Sequence, residues 1–221
     1  MGVDSGPNLR EQVLERVRSQ IVSGRVAPGT IYSVPGLAAE LGTSTTPVRE
    51  ALLELSRAGL LSPLRNRGFQ VEHTSQQDLE NLFDLRVLLE RHALVEVATQ
   101  GLADTAPLVE LAEAVGDAVE KNDVPLYIET DRKFHEALVA RAKNPLLTRM
   151  IMRLRDHMRL YGIDSAEGRK RQLASVGEHF RMIELGVAGD AEAIAALIEK
   201  HILEWKPLFV AALTRMPSAK V

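Results

Sequence analysis

The sequence predicts a mainly α-helical protein, with a small N-terminal unit that contains a β-hairpin and a C-terminal antiparallel all-α bundle of about six helices. Aromatic residues make up only 4% of the 221 residues, whereas Leu, Ala, Glu and Arg are plentiful, and this balance favours helices over sheets. Apolar residues also recur every three or four positions along most of the chain, as in amphipathic helices. With 45% hydrophobic and 26% charged residues, the chain can bury a sizeable core.

The composition excludes several kinds of site. The chain has no cysteine, so disulfides, thiolate metal sites and cysteine-held iron–sulfur clusters are excluded, and any metal must be bound by His, Asp or Glu. No apolar run approaches the ~20 residues that a membrane helix needs, and residues 1–8 lack a signal-peptide pattern. We therefore expect a cytoplasmic protein with no membrane partner. The net charge of −3 does not by itself indicate nucleic-acid binding.

The N-terminal part predicts three short helices and a hairpin. Apolar spacing predicts helices over 9–22 and 34–41, each followed by a glycine. A third helix begins among the hydroxyl residues 43–46, which can cap it, and ends at Gly59. Two short extended runs around a basic tip then predict a β-hairpin over 60–71.

The second and third helices, joined by a tight glycine-containing turn, match a helix-turn-helix. In that motif the N-terminal end of the second helix enters the major groove of DNA, and the hairpin tip would act as a wing on the DNA backbone or in the minor groove. The side chains placed to contact DNA are Ser44, Thr45, Thr46, Arg49, Arg65 and Arg67. The alternative is a helical hairpin that binds nothing, with its arginines on a solvated face.

Polar residues 73–77 predict a linker, and the chain after it is helical throughout. This organisation predicts a winged helix-turn-helix domain over 8–74 and an all-helical domain over 78–215. The expected helices of the second domain are 78–100, 105–121, 123–142, 145–163, 167–187 and 190–213.

Three of these helices bring Asp or His to an apolar face. Asp131 and His135 are four residues apart and so share a helix face, while His179 and His201 lie within apolar stripes of two later helices. Three histidines and an aspartate suit a borderline divalent ion, zinc above all, with nickel, iron or manganese as alternatives. The competing interpretation is a set of core histidines bonded to carbonyl groups, with Asp131 and His135 forming an ordinary pair within one helix.

The N-terminal motifs resemble the winged helix-turn-helix of GntR-family regulators. The resemblance is carried by the string TPVREAL, from Thr46 to Leu52, and by RGFQV, from Arg67 to Val71. It implies that Thr46 and Arg49 contact DNA and that Arg65, Arg67 and Gly68 form the wing. Thr45 departs from the family, which usually has Arg there, and a Thr cannot replace the ~1–3 kcal/mol of discrimination that a bidentate arginine–guanine pair provides.

The C-terminal motifs resemble the FCD-type ligand-binding domain of the FadR-like subfamily. The resemblance spans about 78–210 and is carried by the segments 85–86, 89–90, 131–135, 144–147, 178–180, 189–192 and 201–202. Many members of this subfamily hold a divalent metal, and the resemblance implies the ligands Asp131, His135, His179 and His201. It also implies a dimer and a small carboxylate effector near the metal.

Two further residues are candidates for binding that effector. Arg86 stands at the pocket-facing arginine position of the family, and an arginine can clamp a carboxylate through two hydrogen bonds. Its alternative role is an ion pair with Glu90, one helical turn later. Asn144 is the second candidate, and its alternative role is a helix cap.

Together these features predict a ligand-responsive DNA-binding regulator, a repressor by the commoner behaviour of the family. A homodimer would place two recognition helices on a near-palindromic double-stranded operator. Two other hypotheses stay open at this point. One is a metal-dependent, hydrolase-type enzyme fused to a DNA-binding head, since histidines, an aspartate and an open position also describe a hydrolytic metal site. The other is a regulator whose metal is purely structural.

Overall fold

The computed structural model describes residues 8–158 and 160–215. It confirms the mainly helical fold, and the chain separates into two compact units at the boundary between Ser75 and Gln76. Among the described residues, no helix is long and apolar enough to cross a membrane.

The first unit consists of three helices and a three-stranded sheet. Its elements in chain order are α1 (Leu9–Val22), β1 (Ile31–Tyr32), α2 (Val34–Glu40), α3 (Thr45–Arg57), β2 (Leu61–Leu64) and β3 (Gly68–Val71). The strands are antiparallel in the order β1-β3-β2, so the predicted hairpin is present and a short first strand pairs with its outer edge. The buried face of α3, which includes Val48 and Leu52, packs on α1.

The sheet explains the glycine at the start of β3. Gly68 has a φ of +120°, and a Cβ atom there would lie 2.1 Å from the carbonyl oxygen of Tyr32 on β1. Any side chain at this position would therefore clash with the neighbouring strand. Gly68 is required by the backbone of the wing, whatever else it contacts.

The second unit is an all-helical bundle. Its helices are α4 (Gln76–Gln100), α5 (Ala106–Glu120), α6 (Val124–Ala140), α7 (Pro145–His157), α8 (Ala166–Ala188), α9 (Ala191–Leu203) and α10 (Lys206–Arg215). Helix α4 packs along α9, while α5 packs against α6 and α8. Fully buried Phe83, Phe134 and Phe209 lie in the core.

The described part of this bundle holds seven helices rather than about six, because the segment predicted over 190–213 is split. The chain leaves α9 at Leu203 and starts α10 at Lys206. Pro207 explains the break: a proline has no N–H for the carbonyl of Leu203, and its ring clashes with that group in a continuous helix. The predicted helix over 145–163 is also too long, since α7 ends at His157 and Met158 is extended.

Candidate metal centre and DNA-binding surface

Three helices bring a histidine side chain to one point inside the bundle. His135 comes from α6, His179 from α8 and His201 from α9, and one ligand atom of each lies within 4.8 Å of the other two. Their ring centroids are 5.0 to 5.2 Å apart. All three residues are at most 2% exposed. Histidines separated by up to 66 positions therefore form one buried cluster.

Asp131 lies beside this cluster, on the same face of α6 as His135. Its Oδ1 atom is 3.4 Å from Nε2 of His179 and 3.7 Å from Nε2 of His135. The group of atoms that all lie within 4.8 Å of one another contains the three histidines and not Asp131. The aspartate thus faces two of the three imidazoles.

Burial keeps the three imidazoles in their neutral form. Removal from water lowers the pKa of His179 from 6.5 to about 4, even though Asp131 opposes this shift. Burial also lowers the pKa values of His135 and His201 well below 6.5, with further lowering by Arg155 and His179 respectively. Neutral imidazole is the form that binds a metal ion, so no proton has to be removed from these rings at neutral pH.

Several ring nitrogens of the cluster lack a hydrogen-bond partner among the described residues. These are both nitrogens of His135 and Nδ1 of His179. A buried polar atom without a partner typically costs about 1–3 kcal/mol. A metal ion bound between the three rings would use such nitrogens, so the donor set fits a divalent cation of the zinc type.

A chain of buried and partly buried ion pairs runs from Asp131 to helix α4. Arg155 of α7 donates to Asp131 Oδ2 at 2.9 Å and to Glu90 Oε2 at 2.8 Å, and Arg86 donates to Glu90 Oε1 at 2.7 Å. Burial alone would raise the pKa of the fully buried Glu90, but Arg155 and Arg86 together lower it. Glu90 is therefore a carboxylate held between two guanidinium groups.

A cavity of about 40 Å³ opens next to the histidines. Both polar and apolar residues line it, namely Arg86, Tyr127, Asp131, Arg155, Leu160, Ile163, His201, Trp205 and Phe209. This volume exceeds the roughly 10–15 Å³ needed for one water molecule. Burial holds the pKa of Tyr127 well above its ordinary value, so its hydroxyl stays protonated and is able to donate to an anion.

The two residues predicted to bind an effector differ in their position relative to this cavity. Arg86 lines this cavity, although it also forms the predicted ion pair with Glu90. Asn144 does not line it: the residue is exposed and caps α7, with its Oδ1 accepting from the backbone N–H of Leu147. The effector role of Asn144 stays a prediction, since its amide oxygen caps the N-terminus of α7 and the residue does not line this cavity.

Sequence analysis did not identify Arg155, Tyr127 or Glu178 as part of this region. Only its ion pairs with Asp131 and Glu90 place Arg155 in the site, and these partners lie 24 and 65 positions away in the sequence. Tyr127 did carry a signal, since it shares the helix face of His135. Glu178 stands next to His179 within one of the family segments, but its contact is with His201.

The predicted DNA-contacting residues of the first unit lie on an exposed surface. Ser44 precedes α3 without using its side chain as a cap, and Thr45, Thr46 and Arg49 are exposed on the first turn and a half of that helix. Arg65 and Arg67 are exposed at the wing tip. In the described ranges, no hydrogen bond or ion pair joins the side chains of Arg49, Arg65 or Arg67 to another residue, which leaves these cations available to phosphate groups and base edges.

The first unit is a helix-turn-helix with a wing, and the second is a separate helical unit. This combination defines a class of DNA-binding regulators with a fused helical domain. Comparison with protein families gives the family. Residues 9–71 match the bacterial regulatory proteins of the gntR family, and residues 81–204 match the FCD domain. The chain belongs to the GntR family of bacterial transcriptional regulators and carries an FCD domain.

Individual relatives agree with this assignment. The chain is 36% identical to the HTH-type transcriptional regulator McbR of Escherichia coli (strain K12) over 149 residues, which is 66% of this chain and 67% of that protein. The solved structure of E. coli McbR/YncC superposes with a TM-score of 0.74 at 28% identity, covering 95% of this chain and 99% of that one. A probable D-xylose utilization operon transcriptional repressor of Paenarthrobacter nicotinovorans is 27% identical over 200 residues, 90% of this chain and 88% of that protein.

These relatives are named as transcriptional regulators. The chain is accordingly a regulator and not an enzyme, and the comparisons do not support the hydrolase hypothesis.

Proposed function

We propose that this protein is a repressor whose helical domain binds a divalent metal ion and a small carboxylate effector. Binding of the effector controls the affinity of the protein for its DNA operator. The observation that carries the proposal is the buried cluster of three neutral histidines, with ligand atoms within 4.8 Å of one another, beside a cavity lined by two arginines.

The metal would be held by His135, His179 and His201, with Asp131 as the carboxylate ligand. Three imidazoles and a carboxylate form a borderline donor set, for which zinc is the first expectation and nickel, iron or manganese the alternatives. When bound, the ion supplies a Lewis-acidic centre at the edge of the cavity. The residues around it keep the imidazoles neutral and bury them from bulk water.

The charges around the cavity favour an anionic effector. Arg86 and Arg155 are balanced by Glu90 and Asp131, so the paired set is neutral before any metal binds. A divalent cation adds two positive charges to this buried region, and a carboxylate beside it reduces the cost of burying them. The Tyr127 hydroxyl and the arginines offer hydrogen-bond donors, while Trp205 and Phe209 provide an apolar wall.

The DNA contacts would come from α3 and the wing. Ser44, Thr45, Thr46 and Arg49 would face the major groove, while Arg65, Arg67 and Gly68 would follow the backbone. Since one recognition helix reads one half-site, we propose a homodimer on a near-palindromic operator. The effector controls the dimer only if it binds the operator-competent and operator-free conformations with different affinities.

The test begins with the metal. Purified full-length protein is analysed for bound elements, stripped with a chelator and titrated with zinc. We expect one zinc per chain in the wild-type protein and a sharp loss of bound metal in His135→Ala, because that substitution removes a buried ligand. Full metal occupancy in the variant would contradict the ligand assignment.

The second step measures operator binding. Selection from random duplexes defines the operator, and its affinity for the metal-loaded dimer is then measured with a panel of small mono- and dicarboxylic acids, each matched with its neutral amide. We expect at least one acid, and not its amide, to weaken operator binding. Light scattering gives the mass of the free and operator-bound protein, for which a dimer is expected.

The same experiment decides between sensing and a purely structural metal. A structural ion would raise the melting temperature of the protein, yet no acid would change either that temperature or the operator affinity. This outcome would leave the metal and DNA parts of the proposal standing and remove the effector.

A further inference from the structure

Glu178 precedes His179 in the chain but contacts a different histidine of the cluster. Its Oε2 atom lies 2.7 Å from Nδ1 of His201, across the packed helices α8 and α9. The Glu178 side chain is 12% exposed and that of His201 is 3% exposed. A carboxylate only accepts hydrogen bonds, so the short contact requires a proton on Nδ1 of His201, which donates to Glu178.

Arg171 holds this carboxylate in place. Its Nη2 atom contacts the same Oε2 of Glu178 and donates to the backbone carbonyl of His201 at 3.2 Å. The guanidinium also lies 3.5 Å from Nδ1 of His201, but two N–H donors cannot hydrogen-bond to each other. Arg171 therefore positions Glu178 and the backbone of His201 without competing for the ring.

We propose that Glu178 is a positioning residue for the metal centre. Glu178 holds His201 in the tautomer with the proton on Nδ1 and so leaves Nε2 as the ligand atom. The inference rests on the metal site proposed above. Histidines that bind metals commonly donate their other ring N–H to a carboxylate, and loss of that partner typically weakens metal affinity 10–100-fold. Sequence proximity would assign Glu178 to His179, whereas the structure assigns it to His201.

Three variants of the full-length protein separate this role from a general structural one. Glu178→Met removes the acceptor, Glu178→Gln keeps a neutral acceptor, and Glu204→Gln is the matched control. Glu204 also faces Arg171, with Oε2 3.5 Å from its Nε atom, but in the part of the chain that the structure describes it forms no hydrogen bond or ion pair with the ring of His201. We expect zinc affinity to fall 10–100-fold in Glu178→Met, less in Glu178→Gln, and within twofold of wild type in Glu204→Gln.

A metal-free readout tests the tautomer directly. Long-range ¹H–¹⁵N NMR of the chelator-treated protein distinguishes a ring proton on Nδ1 from one on Nε2. We expect His201 to be protonated on Nδ1 in the wild type, Glu178→Gln and Glu204→Gln, and to gain the Nε2–H form in Glu178→Met. Wild-type His201 protonated on Nε2 would overturn the proposal, as would unchanged zinc affinity in Glu178→Met.

The two proposals fail in different ways. A wild-type protein that binds no zinc contradicts the metal site itself, whereas zinc binding that is indifferent to Glu178 contradicts only the positioning role. If Glu178→Met does not fold, which circular dichroism reveals, Glu178→Gln and the wild-type tautomer decide. A wild-type His201 ring protonated on Nε2 would then reject the inference by itself, as would a zinc affinity equal to wild type in Glu178→Gln.

Discussion

The two units of this protein hold their candidate functional residues in opposite environments. On the first unit, Arg49, Arg65 and Arg67 are exposed. In the second unit, the three histidines and Glu90 are buried, and Glu90 is paired with Arg86 and Arg155. Exposed residues can be replaced at little cost to the fold, whereas buried charged residues contribute to binding and to stability at once. A substitution that reduces function in the first unit therefore reports lost binding, whereas one in the second unit can report lost binding, lost stability or both.

The strongest test of this contrast compares two ion pairs with the same spacing. Arg86–Glu90 and Arg132–Glu136 are both four residues apart, but Glu90 is 0% exposed and Glu136 is 49% exposed. We expect Glu90→Ala to lower the free energy of unfolding by about 3–5 kcal/mol, because it leaves two buried guanidinium groups without their shared partner. Glu136→Ala should cost less than about 1 kcal/mol. Urea unfolding measures both, and equal losses would break the comparison.

The next effect is a dependence of stability on pH. The pKa of His179 is about 4 in the folded protein and ~6.5 when unfolded. As pH falls below 6.5, the unfolded chain binds a proton that the folded chain does not, so folding is destabilised, and the loss ends near pH 4. Between pH 6.5 and 5, above the ordinary titration of Asp and Glu, His179 alone should cost about 2 kcal/mol.

Urea unfolding of the metal-free protein between pH 5 and 8 checks this expectation. His92 is exposed, and His92→Gln serves as the control that should leave the profile unchanged. Stability that stays level or increases as the pH drops from 6.5 to 5 would show that the buried rings accept protons in the folded state.

A smaller effect is expected from the recognition helix, on DNA affinity and not on stability. If Arg49 reads a base, Arg49→Ala should weaken operator binding by about 1–3 kcal/mol. The control is Arg57→Ala, since Arg57 is also exposed but lies at the opposite end of α3. Fluorescence anisotropy measures the affinity, and both variants should keep the free energy of unfolding within about 0.5 kcal/mol of wild type. Operator affinity unchanged by Arg49→Ala would remove that residue from the interface.

Substitutions in the wing should have the smallest effect on DNA affinity, and this effect should depend least on the DNA sequence. Arg65→Ala and Arg67→Ala are expected to weaken binding to operator and random duplexes alike, because a phosphate contact carries no base information. Each should also reduce the slope of log affinity against log salt by about 1. A loss confined to the operator would instead place these side chains on base edges.

Much of the first unit could be predicted from the sequence because its signals are local. Apolar spacing and flanking glycines defined α1, whose observed bounds are Leu9–Val22, and the hairpin was visible as two extended runs around a basic tip. Strand β1 could not be foreseen. It is two residues long, and its pairing with β3 spans 39 positions, from Ile31 to Gln70.

The site in the second unit was only partly predictable. Helical periodicity placed Asp131 and His135 on one face and showed His179 and His201 on apolar stripes. Their convergence depends on how α6, α8 and α9 pack, which no local pattern specifies. The ion pairs of Arg155 are equally nonlocal. The break at Pro207 did carry a local signal, since a proline inside a helical pattern ends the helix before it, and the predicted helix over 190–213 was wrong for that reason.

The break at Pro207 has a consequence for how the cavity is assembled. His201 lies on one side of it, in the last turn of α9, while Phe209 lies on the other side, in α10. The proposed ligand His201 and the apolar residue Phe209 thus belong to two separate helices that are consecutive in the chain. All four proposed ligands precede Leu203, so substitutions at Trp205 and Phe209 change the proposed acid site without removing any proposed metal ligand.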